Sequence, residues 1–380
     1  MKTAAAQIEN SVTDSAVLFL ALELSNKTWK LGFTIGLGQK PRERVIPARD
    51  LSRLSEEVAT AKRRFKLADS CRVVSCYEAG RDGFWLHRAL VAAGVENQVV
   101  DSSSIEVKRR ARRAKTDRLD LGKLITMLIR YHSGETKVWS VVHVPGVVEE
   151  DQRQLHRDLA DLKAERSREI NRIKGLLASQ GVSLETRGQA KIGLEEVRLW
   201  DGSPLPEGMR DRLRRAQERV EFLTRQVQEL ETQRAEQLDH SSRKDVEQAR
   251  ELMALKGIGP TTGWVLVMEF FGWRKFRNRR EVGALAGLTP TPYQSGDMAR
   301  EQGISKSGNR RVRAMAVEMA WLWVRYQPGS RLTQWFQERF GQGGSRQRRV
   351  GIVALARKLL VALWKYLESG TIPENAALKA

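Results

Sequence analysis

The sequence predicts an α/β domain built on a mixed sheet, followed by a remainder that is all α. Three observations carry that expectation. Apolar runs of strand length open the chain and then alternate with helical patterns. Two long, charged helical stretches come next, in the middle of the chain. A third texture, of short helices broken by glycine and proline, begins near residue 251. Consecutive strands followed by helix–strand alternation call for a sheet with both antiparallel and parallel neighbours.

Residues 1–15 (MKTAAAQIENSVTDS) lack the apolar stretch of a signal peptide and are expected to be a disordered lead-in. VLFLALEL (17–24) is a buried strand, SNKT turns the chain, and WKLGFTIG (29–36) alternates like a returning strand. RERVIPA (42–48) fits a third strand, and residues 50–67 are helical. CRVVSCYEAG (71–80) is a strand ending in a turn, and GFWLHRALVAAG (83–94) is a helix closed by glycine. NQVVD (97–101) is a short strand and TDRLDLGKLITMLIRY (116–131) a helix, which sets the first domain at 16–145.

Residues 146–250 read as a helical spacer. Leu213, Val220, Leu223, Val227 and Leu230 recur at spacings of three, four and seven, which suits two long antiparallel helices or a coiled coil with a partner chain. The third segment is 251–370, with a tail at 371–380. Its opening, LMALKGIGPTTGWVLVMEFFG (252–272), reads as helix, turn, helix, like a helix-hairpin-helix. Gly257 and Gly259 would let backbone N–H groups approach a phosphate. LAGLTPTPYQSGD (285–297) reads as a loop. Trp321, Trp323 and Trp335 stand at helical spacing among apolar residues, as core residues do, and Ser305 and Ser307 read as turn and cap residues or as phosphate contacts.

Charge points to the partner. Lys and Arg number 66 against 46 Asp and Glu, a formal net charge of +20. A field of that size favours a polyanion, with nucleic acid first and an acidic membrane surface second. No apolar run reaches the ~18 residues that span a bilayer. Cys71 and Cys76 make neither a disulfide framework nor a zinc site and fit a reducing cytoplasm, and the five histidines lack metal-ligand spacing. The most basic run holds Lys108, Arg109, Arg110, Arg112, Arg113 and Lys115. A second basic set is Lys306, Arg310, Arg311 and Arg313.

Directly after the first run stand Asp117 and Asp120, spaced to share a helix face. Glu23 interrupts the apolar first strand, and Glu78 ends VVSCYE. Strand-end carboxylates facing a helix that carries two more can gather four acids in one cleft. Such a cluster calls for a divalent cation, and oxygen-only ligands suit Mg2+ or Mn2+. Two such ions can clamp the attacking and leaving oxygens of a phosphodiester. Three of the acids also have a plain structural reading: Asp117 as an N-cap, Asp120 as a first-turn acid, Glu78 as a surface residue. Glu23, a carboxylate inside an apolar strand, needs a partner or a metal.

A strand acid, a second strand ending in Glu, then KTDxxD on a helix resembles the RuvC-like (RNase H fold) domain of the DEDD transposases. ALKGIGPTTGWVLVMEFFG, FRNRREVGALAGLTPTPYQSGD and GISKSGNRRVRAMAVEMAW resemble the C-terminal transposase domain of the same proteins, the insertion sequence 110/1111 family. The resemblance covers about residues 16–135 and 250–330. It implies that Glu23, Glu78, Asp117 and Asp120 bind Mg2+ and that Ser295 is the nucleophile toward DNA. It further implies a structured noncoding guide RNA, and strand exchange implies a homo-oligomer, dimer or tetramer. The setting would be a cytoplasmic, nucleoid-associated bacterial enzyme. One departure stands out: the family pattern has Asp at the first position, and here it is Glu23, a longer arm by one methylene. Two other functions fit the same residues. One is a junction-resolving nuclease with water as nucleophile, and the other is a non-catalytic nucleic-acid-binding protein.

Overall fold

The computed structural model describes residues 16–105, 117–183, 193–295 and 298–379; the side chains of 103, 117–120, 292–295 and 298–302 lie outside that description. The chain divides into two compact units, Met1–Val144 and Pro145–Ala380.

The first unit is a five-stranded sheet with helices on both faces. Its strands are β1 (Val17–Leu24), β2 (Thr28–Thr34), β3 (Arg42–Pro47), β4 (Arg72–Glu78) and β5 (Glu96–Val100), in the order β3-β2-β1-β4-β5. The β1–β2 and β2–β3 pairs are antiparallel, whereas β1–β4 and β4–β5 are parallel. The helices are α1 (Leu51–Arg64), α2 (Trp85–Ala92) and α3 (Asp117–His132). Strand side chains alternate between faces, and the two cores divide accordingly. Leu18, Leu20 and Leu22 of β1 pack with Leu54 of α1 and with Leu86 and Leu90 of α2. Phe19 and Ala21 pack with Leu121, Leu124, Ile125 and Leu128 of α3. Gly32 on β2 makes room for α3, since a Cβ there would stand 2.6 Å from Ile125 Cδ1.

The second unit opens with two long helices, α4 (Val147–Ala178) and α5 (Glu207–His240). Their apolar seam is used within the chain. Leu155 and Leu238 meet in one core, while Leu177 and Leu213 meet in another at the far end, so the pair is an antiparallel hairpin. Lys163–Glu231 at 2.5 Å and Arg219–Glu169 at 3.0 Å bridge the two helices.

Next come α6 (Lys244–Ala254) and α7 (Pro260–Leu266), the latter continuing into a π-turn at Val267–Phe271. They are followed by α8 (Arg279–Leu285), a hairpin of β6 (Pro290–Ser295) and β7 (Met298–Ile304), α9 (Arg310–Tyr326), α10 (Arg331–Phe336) and α11 (Ser345–Ser369). The segment expected as a loop around Ser295 is therefore a strand pair. The tail folds back: Leu378 bridges Leu255, and the Lys379 ammonium donates to the Ile258 carbonyl at 2.7 Å. Among the described residues no helix is long and apolar enough to cross a membrane.

Candidate functional site

Glu23 and Glu78 come together through register and parity. Leu22 pairs with Tyr77 across the parallel β1–β4 ladder, so one step further sets Glu23 beside Glu78, about 5 Å apart at the backbone. Leu22 and Tyr77 both face the α1 and α2 side. Both glutamates therefore fall on the opposite, α3-facing side, at the C-terminal ends of two central strands. Open α/β sheets place their ligands at such strand ends.

A cleft of about 420 Å³ lies there, lined among others by Glu23, Glu78, Arg81, Asp82 and Leu124. Leu124 comes from α3, one turn beyond Asp120 and two beyond Asp117. Positions 117, 120 and 124 share a helix face by the 3.6-residue period. The backbone of α3 starts at Asp117; the side chains of Asp117 and Asp120 lie outside the described residues. Asp82 is an acid of the cleft that the sequence pattern does not single out. It follows Glu78 by four residues in EAGRDG, and its buried carboxylate sits 3.5 Å from the Arg49 guanidinium.

Two like charges on neighbouring strands repel, and what neutralises them decides the chemistry. Lys30 of β2 pairs with Glu23 in the ladder, so a protein cation stands beside the first carboxylate. The partner that a carboxylate inside an apolar strand requires is thus partly met by the sheet itself. Glu23, Glu78 and Asp82 offer carboxylate oxygens to this cleft, which fit a hard divalent cation and not a thiophilic one, while Arg81 brings a cation to its lining. Among the described residues no group of three His, Cys, Asp or Glu is placed to hold a metal. The other two acids of the expected cluster, at positions 117 and 120, have side chains outside the described residues. Burial pushes the Cys76 thiol far up, so it stays neutral.

Ser295 is the last residue of β6 and pairs with Met298, which places it at the hairpin tip. The two residues between them, Gly296 and Asp297, lie outside the described ones. A Gly-Asp dipeptide separating two strand-like runs is itself a two-residue hairpin signal, and it was available in the sequence.

The basic residues divide. Lys108, Arg109, Arg110, Arg112, Arg113 and Lys115 lie outside the described residues. Arg310 and Arg311 are exposed on the first turn of α9, and Lys306, also exposed, has a left-handed backbone at φ +57°. Arg313 is half-buried, and its guanidinium donates to the Ala286 carbonyl. Asn309, not Ser305 or Ser307, caps α9, accepting from the amides of Arg311 and Val312.

The Asn309 amide group also donates to Glu269 Oε2 at 3.0 Å. Glu269 is fully buried in the π-turn and takes His156 Nε2 at 2.9 Å and Arg157 Nε at 2.8 Å from α4. Burial alone would raise its pKa. The hydrogen bonds and charges of His156 and Arg157 outweigh that and hold the carboxyl well below its ordinary 4.5. Gly257, with φ +86°, lies against α9, where a Cβ would meet the Leu322 carbonyl oxygen at 3.3 Å; Gly259 has open space around it.

Residues 249–334 match the family described as "Transposase IS116/IS110/IS902 family". The chain is 42% identical over 379 residues to putative transposase y4rJ of Sinorhizobium fredii, covering 96% of each chain. It is 30% identical over 241 residues to a probable family 20 transposase of Pseudomonas aeruginosa, covering 61% of this chain and 68% of that one. A transposase for insertion sequence element IS1328 of Yersinia enterocolitica is 30% identical over 221 residues, covering 57% of this chain and 63% of that one. A full-length relative at that identity, together with the matched C-terminal segment, makes this chain a member of the IS116/IS110/IS902 transposase family.

Proposed function

We propose that this transposase cuts and rejoins DNA through a covalent serine–DNA link at Ser295, with Glu23, Glu78, Asp117 and Asp120 holding Mg2+ or Mn2+. The observation that carries the metal site is the convergence of Glu23 and Glu78 on one sheet face at adjacent strand ends, beside Leu124 of the helix that begins with the two aspartates. The strand order β3-β2-β1-β4-β5, three antiparallel strands followed by two parallel ones, supports an RNase H-like, RuvC-like reading of residues 16–145. Residues 146–250 then act as the helical spacer and 251–370 as the serine-bearing domain.

In the cutting step the Ser295 oxygen bonds to phosphorus, the bond from phosphorus to the leaving deoxyribose oxygen breaks, and the serine proton ends on that oxygen. Rejoining reverses this with a new strand-end hydroxyl, so the phosphodiester energy is conserved and no nucleotide cofactor is required. When bound, the divalent ion neutralises charge on the phosphate and makes phosphorus more electrophilic. Arg310 and Arg311, exposed on α9, and the run at 108–115 hold flanking phosphates. Strand exchange needs more than one active site, which calls for a dimer or tetramer. Choice of site by a structured noncoding RNA completes the reading.

The test is a covalent adduct. The protein is incubated with its flanking DNA and the RNA transcribed from it, with Mg2+, then quenched in denaturant. DNA attached to protein is expected. Ser295→Ala lowers the adduct at least about a hundredfold, and Asp117→Asn does the same while leaving DNA binding intact. Cut DNA without an adduct would replace serine by water and make the enzyme a nuclease.

A further inference from the structure

Trp321 departs from the core role that its spacing suggests. The inward stripe of α9 is Val312, Ala316, Met319, Ala320 and Trp323, all buried. Trp321 stands outside that stripe and is 42% exposed, and Tyr326 at the helix end is 47% exposed. Arg325 lies one turn after Trp321, on the same helix face. Its guanidinium carbon is 5.3 Å from the Tyr326 ring centroid. Trp321, Arg325 and Tyr326 thus form a continuous run of flat, polarisable surfaces.

Cations border this run. Lys256 in the α6–α7 turn is exposed, and so is Lys379 at the end of the tail. The turn is held against α9 at Gly257, whose added Cβ would stand 3.5 Å from Tyr326 Cβ. Buried Gln327 locks the arrangement. Its side chain donates to the carbonyls of Lys256 and Ala377 at 2.9 and 2.8 Å and accepts from the Ala377 amide at 2.7 Å. Helix end, glycine turn and tail are therefore one rigid surface. Against Lys256, Arg325 and Lys379 stands Glu318, the carboxylate one turn before Trp321 on the exposed stripe.

We propose that this surface binds unpaired DNA, with bases stacked on Trp321 and Tyr326 and backbone phosphates held by Lys256, Arg325 and Lys379. Exposed aromatics interleaved with cations are how proteins grip single strands, because every base has a π-face and every linkage a charge. A duplex hides its base faces and has no use for Trp321. Gly257 is occupied by its packing against α9, so phosphate contact in the turn falls to the neighbouring lysine. The inference rests on the proposed strand chemistry only as the source of an unpaired strand.

The test measures binding of the full chain to a labelled oligothymidylate of about 15 nucleotides by anisotropy. It is done in chelator, where no strand is cut, so its outcome is independent of the adduct experiment. A duplex of equal length and an oligouridylate are run in parallel. Trp321→Ala and Tyr326→Ala each weaken single-stranded DNA binding about tenfold. Both leave duplex binding and the salt dependence unchanged, while Trp321→Phe keeps most of the affinity. Lys256→Ala lowers the salt dependence. Unchanged single-strand affinity in both alanine variants overturns the proposal. So does an equal loss on duplex, a loss confined to the RNA oligomer, or a change in sedimentation that marks the face as a contact between subunits. Both aromatic side chains are half-exposed, so folding is preserved; if one variant melts early, the other together with Trp321→Phe decides the matter.

Discussion

Glu269 shows what one residue carries here. A carboxylate buried without partners would take up a proton, yet three side chains from two distant parts of the sequence keep it charged. Glu269→Gln would leave the half-buried Arg157 guanidinium facing a neutral amide. Removing one partner of a buried ion pair costs about 3 kcal/mol, and that loss is expected in a denaturant melt. The sign of the pH effect comes from the depressed pKa. The stabilisation is present above the unfolded value of 4.5 and is lost as pH falls below it toward the lower folded value. Stability of the parent should therefore fall as acid is added below that point, and fall less in Glu269→Gln. Equal acid slopes in the two proteins would remove Glu269 from the account. Nothing in the sequence around VMEFF marks this glutamate, because the His156 that holds it lies more than a hundred residues away.

At the scale of elements, the site depends on how closely α3 lies on the sheet. Gly32 and Ala21 face it from paired positions on β2 and β1, and α3 brings Leu124 to the cleft. Gly32→Ala would press its methyl on Ile125 Cδ1 and on Leu121, and overpacking of this kind costs about 1–3 kcal/mol. The expected outcome is a modest loss of stability with a larger loss of strand cutting, because the helix that carries positions 117 and 120 is lifted. Ile125→Val in the same chain removes the clashing carbon and should restore most of both. If the double variant is no better than Gly32→Ala alone, helix spacing is not what the substitution disturbs. Most of these elements were legible. VLFLALEL and RVVSCYE are legible as strands, but the shared face of the two glutamates follows only from the register that pairs Leu22 with Tyr77. The β6–β7 hairpin was not legible as such, because the two prolines in PTPYQS weaken the strand pattern beside the Gly-Asp signal.

For the whole molecule, the two units organise their cores separately. In the first unit they lie on either side of the sheet. In the second, one core joins the root of the α4–α5 hairpin to the C-terminal helices, and another fills the hairpin's far end. Composition alone separates the charged helices of 146–250 from the C-terminal segment, because texture changes near residue 251. It cannot show that Leu155 and Leu238 enter the same core as Trp264 and Leu359, since that depends on where a long hairpin turns back. The exposure of Trp321 is hidden for a related reason: helical spacing among apolar residues does not say which side of the helix meets a neighbour. The division predicts how the protein unfolds. Chains with separately cored units depart from two-state behaviour, so calorimetry should resolve two transitions. Gly32→Ala should lower only the one that belongs to Met1–Val144, and Glu269→Gln only the one that belongs to Pro145–Ala380. For units of this size each kcal/mol moves a midpoint by about 2–4 °C, so each substitution should shift its own transition by a resolvable amount. A single transition lowered by both substitutions would mean that the units unfold as one cooperative body, and the cores would then have to be counted together.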